Sequence, residues 1–200
     1  MTSSTVPLAW DDPATRRAWR AALLLQLAGA LFALILFPAG LFATALTPSW
    51  FVPLWLVLVI LIGLHIHHRL EQLINLVRIL RVLKGYAWST AVAHPAGKSD
   101  CRFEAANPDN PARHLSVRLR TPFGGSLTYW ARWCRSHDGE KVRFCGDIRF
   151  IGVVAHHRAG KGRLRLVSQP EAINRRMSPR RKGVSQEARE RALAVGARVG

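Results

Sequence analysis

Acidic residues and cysteines are both scarce in this sequence. Aspartate and glutamate together number 12, against 29 lysines and arginines, so the formal net charge is +17. The three cysteines are an odd number and do not follow the spacing of a disulfide framework. These features argue against a secreted domain held together by disulfide bonds, and they favour a reducing compartment. The excess of positive charge suits an anionic surface, which is either the inner leaflet of a membrane or a nucleic acid.

The motifs of common catalytic sites are also missing. The sequence has no glycine-rich phosphate loop before a helix, no HExxH zinc motif and no serine nucleophile elbow. Two partial sets of metal ligands remain, His65 with His68 and Cys134 with His137 and Cys145. We interpret these histidines as polar residues at the end of a membrane span and the cysteines as free thiols. We therefore expect a protein without enzymatic activity, metal or cofactor.

Two long apolar runs dominate the first third of the chain. Residues 21–46 carry no charged side chain and are long enough to cross a hydrocarbon core about 30 Å thick. A second run over residues 50–67 follows a short break, so residues 21–68 are predicted to form an antiparallel transmembrane hairpin. Asp12 and Pro13 mark the start of the first helix. A cleaved signal peptide is the alternative, but its apolar region is shorter, at roughly 7–15 residues.

The basic residues around the hairpin predict its orientation. They precede the first span and follow the second, and the connecting turn has none; they are Arg16, Arg17, Arg20, Arg69, Arg78, Arg81 and Lys84. The positive-inside rule therefore places both termini, including residues 1–20, in the cytoplasm. We predict a multi-pass protein of the plasma membrane.

After the second span, residues 69–85 form an amphipathic pattern at helical spacing that ends at Gly85. Its apolar side includes Leu70, Ile74 and Val77. We expect the span to continue as a juxtamembrane helix. Its apolar face needs cover from lipid, from the following domain, or from a protein partner or a second copy of the chain.

Residues 86–169 have the pattern of short strands separated by glycine, proline, asparagine and aspartate. Seven such strands predict a cytoplasmic antiparallel β-barrel or sandwich, SH3-like or OB-like. The predicted fold class is therefore an α+β membrane protein, in which a transmembrane hairpin and an amphipathic helix precede a small β domain.

One β-hairpin is predicted in detail around the turn at Asp138 and Gly139. Its register places four side chains in the core: Ala131, Trp133, Val142 and Phe144. The opposite face then holds Arg132, Cys134, Lys141, Arg143 and Cys145.

The positive charge is concentrated on that opposite face and in the tail. Residues 170–200 are basic and poor in large apolar side chains, so we expect them to be largely disordered, with a transient helix. The candidate contacts to anionic lipid or another polyanion are Arg132, Lys141, Arg143, Arg175, Arg176, Arg180, Arg181 and Lys182. Lipid headgroups are favoured over nucleic acid, because the register sends Trp133 and Phe144 inward and leaves no platform for base stacking.

The segment "GDIRFIGVVA", residues 146–155, and the order of two spans, a short helix and a β domain resemble small uncharacterised membrane proteins of actinomycetes. The resemblance implies the same topology and carries no catalytic residue. Within the segment, Gly152 predicts a bulge or a close backbone approach. The function expected from the sequence is a regulatory or assembly component whose β domain binds a partner at the membrane surface, and a membrane-anchored nucleic-acid-binding module is the alternative.

Overall fold

The structure is a computed structural model of the chain. It describes residues 7–46, 48–96, 100–121, 127–156, 163–169, 184–197 and 199. The chain divides into two compact units. One unit is Arg20–Leu76, and the other combines Met1–Trp19 with Val77–Gly200.

Two helices of 34 residues each, α1 (Pro13–Leu46) and α2 (Val52–Gly85), account for the apolar runs. Each is about 51 Å long at 1.5 Å per residue. Both contain a segment with a mean hydropathy of 2.2 in which almost no side chain is buried, so both are long and apolar enough to cross a membrane. Helix α1 begins at Pro13, and Asp12 Oδ1 accepts a hydrogen bond from the Ala14 N–H at 2.9 Å, as predicted. The predicted continuation of the second helix to Gly85 is also confirmed.

Within Arg20–Leu76 the two helices pack as an antiparallel pair. Gly40 faces Val59, and a Cβ at Gly40 would lie 3.4 Å from that side chain. Nearer the other end, Arg69 Nη1 donates a hydrogen bond to Gln26 Oε1 at 2.7 Å. Gly29 gives the guanidinium room, because a Cβ there would lie 2.9 Å from Arg69 Cζ. Glycines of α1 thus face side chains of α2, and an interhelical hydrogen bond pairs Gln26, the only amide side chain in the first apolar run.

The second unit contains a six-stranded sheet in which all neighbouring strands are antiparallel. Its strands are β1 (Trp88–Pro95), β2 (Cys101–Asn107), β3 (Asn110–Leu119), β4 (Lys141–Asp147), β5 (Ile151–His156) and β6 (Arg163–Ser168), in the order β3-β2-β1-β4-β5-β6. The sheet is open. A single bridge joins Arg120, just after β3, to Ser168 at the end of β6. The predicted closed barrel or two-sheet sandwich is therefore wrong, although six of the seven predicted strands are present.

The seventh predicted strand is a helix, α3 (Leu127–Ser136), so the detailed β-hairpin is wrong. Helical spacing places Trp130, Trp133 and Cys134 on one buried side, whereas a strand would bury only alternate residues. The turn is where it was predicted, since Gly139 adopts a φ of +74°. All four predicted core residues are nevertheless buried: Ala131, Trp133, Val142 and Phe144. The helix packs on the sheet face to which these side chains were assigned.

The core lies between α3 and one face of the sheet, which we call the core face. Its side chains include Phe103, Val117, Phe144 and Val167. Gly152 pairs with Gly146 in this sheet, and a Cβ at Gly152 would overlap the Phe144 ring. The predicted close approach at Gly152 is therefore confirmed, and the approaching group is an aromatic ring.

Among the described residues, the opposite, outer face is covered mainly over β4–β6. There Val153 and Leu166 are buried, and the Cys145 thiol donates to the Val82 carbonyl at 3.7 Å. Helix α4 (Gln186–Ala194) lies within the same unit, and Val195 at its end contacts Gly85.

Helix α4 falls in the tail that we predicted to be largely disordered. Its small side chains Ala188 and Ala192 are buried, so a segment with few large apolar residues still packs. Residues 170–183 of the tail lie outside the described residues.

Candidate functional site

The structure separates the cationic residues that the sequence grouped together. Lys141 and Arg143 lie on β4 and point to the outer face, whereas Arg132 is exposed on α3, which packs on the core face. The predicted tail contacts lie outside the described residues; they are Arg175, Arg176, Arg180, Arg181 and Lys182. The grouping of Arg132 with Lys141 and Arg143 followed from the hairpin register and is not supported.

Arg143 is held by groups near the start of α1. Its Nη2 donates to Asp12 Oδ2 at 3.2 Å, and its guanidinium lies 4.6 Å from the centroid of the Trp88 ring. Trp88 Nε1 in turn donates to Thr15 Oγ1 at 3.2 Å. Burial raises the pKa of Asp12, but hydrogen bonds from Ala14, Thr15 and Arg143 outweigh it and hold the pKa below its ordinary value. The charge of Arg143 is therefore already partly balanced.

These residues border a shallow groove of about 350 Å³. It is lined by Pro7, Leu8, Asp11, Asp12, Trp88 and Arg143. Two carboxylates face one guanidinium, so the groove has no excess of positive charge for an anion.

A second set of cations on the outer face was missed in the sequence. In the strand register, Arg102 of β2 lies directly opposite Arg118 of β3 and directly opposite His94 of β1. The three side chains therefore form one row across three strands. Both arginines are exposed, and among the described residues neither is in an ion pair. His94 Nδ1 lies 3.0 Å from Asp138 Oδ1.

The next rows make this half of the outer face basic overall. Glu104 lies opposite Ser116 and Val92, and Val92 lies opposite Lys141. Glu104 is the only acidic side chain on the described strands β1–β3. The alternation in "CRFEAAN" and "HLSVRLR" indicates which side chains share a face of their own strand. Only the pairing of the strands brings Arg102 beside Arg118.

A buried ionic network lies elsewhere in this unit. The Arg149 guanidinium, 4% exposed, donates to both oxygens of Asp147 and, through Nη1, to Asp109 Oδ2 at 2.6 Å. Burial lowers the pKa of Arg149, but the hydrogen bonds to Asp147 and Asp109 outweigh it and raise the pKa. Ser185, which caps α4, donates to Asp109 Oδ1 at 2.7 Å. The network therefore links the β2–β3 turn, the β4–β5 turn and the start of α4.

Asp109 makes this connection dependent on pH. Hydrogen bonds from Arg149 and Ser185 lower its pKa from 3.8 to about 2. A lowered folded-state pKa stabilises the fold fully above the unfolded-state value, and this stabilisation is lost as pH falls from about 4 towards 2. We expect the difference in unfolding free energy between the wild type and Asp109→Asn to be largest near pH 5 and to shrink across that window. Denaturant unfolding at several pH values measures it, and a constant difference would contradict the role of the carboxylate.

All three cysteines are buried free thiols, but they are arranged differently from the prediction. Cys134 lies on the core side, where its hydrogen bond with Cys101, together with burial, raises its pKa. Cys145 points to the outer face, and burial raises its pKa to about 12. The sulfur atoms of Cys134 and Cys145 therefore lie on opposite sides of the sheet. Both thiols are protonated at neutral pH and are poor nucleophiles.

Two of the histidines near the end of the second apolar run, His65 and His67, have ordinary partners one helical turn away. His65 Nε2 accepts a hydrogen bond from Arg69 Nε at 3.1 Å, and His67 lies 3.4 Å from Glu71. In the part of the chain that the structure describes, no group of three or more histidine, cysteine or acidic side chains is arranged to hold a metal ion.

Comparison with known proteins finds no family model, no curated protein and no solved structure that matches this chain. The two long apolar helices and the outer face are therefore the features that bear on function.

Proposed function

We propose that this chain is a membrane-anchored, non-enzymatic regulatory or assembly component whose sheet domain binds a partner at the cytoplasmic surface of the plasma membrane. The observation that carries the proposal is the uncovered, basic half of the outer face on β1–β3. The other half of that face is buried by helices of the same chain. An exposed binding surface in a chain with two lipid-compatible helices is typical of a tethered adaptor.

The hairpin serves as the anchor in this proposal. Large apolar side chains are exposed along both helices, including Leu31, Ile35, Leu54 and Ile60. A soluble protein would rarely leave so much contiguous apolar surface in water, whereas lipid covers it at no cost.

Part of the apolar face of the juxtamembrane segment, residues 69–85, is already buried by this chain. In the sheet unit, Ile79, Val82 and Leu83 are buried, so residues of the chain itself cover the second half of this segment. Leu70 and Ile74 remain about half exposed, at 50% and 55%. These two side chains are the proposed contacts to lipid or to a second copy of the chain.

Both termini are cytoplasmic in the proposed topology. Reporter fusions at Met1 and Gly200 should both be active only as cytoplasmic reporters, and a reporter inserted at residues 47–49 should be active only outside. Neutralising Arg16, Arg17 and Arg20 should raise the inverted fraction, although the cations after His68 still favour the proposed orientation. An external Met1 or Gly200 would contradict the topology and the cytoplasmic partner together.

A pulldown of the full-length protein from gently solubilised membranes tests the partner. We expect a protein to be recovered equally with and without nuclease treatment. Ala106→Glu, a charge introduced on the exposed outer face of β2, should reduce its recovery. Ser136→Glu introduces the same charge at an exposed position of α3 and is the matched control. Equal recovery with both variants would place the partner surface elsewhere.

The alternative function is a membrane-anchored nucleic-acid-binding module. The observation in its favour is the same open basic face, since sheet faces bind single strands in several nucleic-acid-binding folds. Those faces stack bases on exposed aromatic side chains. On the described residues of this outer face the candidate is Trp88, whose ring already contacts Arg143. Loss of the recovered partner on nuclease treatment would favour this alternative.

A further inference from the structure

We propose that Arg102 and Arg118, with His94 beside them, form a binding site for the phosphate of an anionic phospholipid headgroup. This inference rests on the membrane anchoring proposed above and names a ligand for the outer face. The lipid contacts predicted from the sequence are other residues, namely Arg132, Lys141, Arg143 and those of the tail.

The two arginines lie next to each other on neighbouring strands of the sheet. Side chains directly opposite each other in an antiparallel pair have Cβ atoms about 4.5–5.5 Å apart. Like charges at such positions destabilise a sheet unless an anion compensates them. Arg102 and Arg118 occupy such a pair, and no ion pair among the described residues balances either of them. Two guanidinium groups at this separation can bind one phosphate from both sides.

Membrane anchoring determines which anions are concentrated near the site. In a membrane-anchored chain, headgroups are present at a much higher effective concentration than any soluble polyanion. A nucleic acid would also gain from aromatic stacking, yet Arg102, Arg118 and Lys141 have no tryptophan, tyrosine or phenylalanine in their cross-strand rows. Charge and tethering therefore favour a phospholipid.

Titration of the full-length protein in a neutral detergent tests the site. The probes are dihexanoyl phosphatidylglycerol, dihexanoyl phosphatidylcholine, inorganic phosphate and a single-stranded thymidine oligonucleotide. The wild type should bind the anionic lipid more tightly than the zwitterionic one. The double variant Arg102→Gln, Arg118→Gln should weaken anionic lipid binding roughly 30-fold at low salt and less at high salt. The double variant Arg102→Lys, Arg118→Lys keeps the charge but loses the planar guanidinium groups. Its affinity for the anionic lipid should lie between those of the wild type and the double glutamine variant.

Arg135→Gln is the matched control, because Arg135 is exposed on α3, on the other side of the sheet. It should bind like the wild type. Near-ultraviolet circular dichroism checks that the double variants retain the fold.

Three results would overturn the assignment. Unchanged lipid binding in the folded glutamine variant would remove Arg102 and Arg118 from the site. Inorganic phosphate bound as tightly as phosphatidylglycerol would make it a site for free phosphate. Oligonucleotide binding some thousandfold tighter than the non-specific Kd of about 10⁻⁴–10⁻⁶ M would make it a nucleic-acid site. None of these results would change the reporter experiment, which tests the anchoring by itself.

Discussion

Trp130→Ala is expected to lower the free energy of unfolding of the sheet unit by about 3–5 kcal/mol. Trp130 is fully buried, and its ring stacks on Trp133 with centroids 4.9 Å apart and an interplanar angle of 5°. The Phe103 ring packs beside both tryptophans, with centroids 6.2 Å from Trp130 and 6.4 Å from Trp133. Removing the indole therefore leaves a large cavity in the layer between α3 and the sheet. Native-state hydrogen exchange of the β2 and β4 amides in the full-length protein measures the loss.

The same substitution distinguishes the helix from the β-hairpin predicted from the sequence. In a strand, Trp130 would point away from Trp133 and towards solvent, so its removal would cost little. In the helix, both tryptophans share the buried side. Arg132→Ala is the control, because Arg132 is exposed on the same helix and its loss should change stability by no more than about 0.5 kcal/mol. Similar small effects of both variants would mean that residues 127–136 do not form the buried helix.

Arg149→Met is expected to destabilise the sheet unit by about 3–5 kcal/mol, because it leaves a buried carboxylate without its partner. Asp147 is 2% exposed and accepts hydrogen bonds from Nε and Nη2 of Arg149. The variant also removes the bond from Arg149 to Asp109, which holds Ser185. Relative to the wild type, we therefore expect the variant to show a larger increase in hydrogen exchange at the amides of α4 than at those of β2. Denaturant unfolding gives the total loss, and hydrogen exchange resolves its distribution.

Two further variants make the Arg149 prediction specific. Adding Asp147→Asn to Arg149→Met should recover part of the lost stability, since the uncompensated charge is then gone. Arg143→Met is the matched control, because Arg143 forms a more exposed ion pair with Asp12, and such pairs contribute only about 0–1 kcal/mol. If Arg143→Met is as destabilising as Arg149→Met, burial is not what makes the Arg149 network important.

The two long helices were predictable from local signals. An uncharged run of 26 residues and the Asp12–Pro13 start signal are local properties of the sequence. Helix α1 begins at Pro13, and α2 continues to Gly85, as these signals predicted. Helical hydrogen bonds join residues four apart, so the information that specifies them lies close together in the chain.

The sheet was predicted less completely, because pairing joins residues that are distant in sequence. Strand positions followed from alternation, but segment 127–136 contains both a strand pattern and a helical one. Its two tryptophans can be buried together only by a helix that lies on the core face, and that face exists only when β2 and β4 flank β1. In the observed order, β3 and β6 are the edge strands of an open sheet.

The sequence predicted the charge of the candidate site but not which cations lie next to each other. The sequence by itself determined the positive charge, the lipid-compatible helices, the turn at Gly139 and the inward positions of Val142 and Phe144. The tertiary structure decided that Arg132 lies on the other side of the sheet from Arg143, and that Arg102 lies opposite Arg118. The register across three strands controls which cations become neighbours. That register is selected by burial of the whole core face, to which the exposed arginines themselves contribute almost nothing.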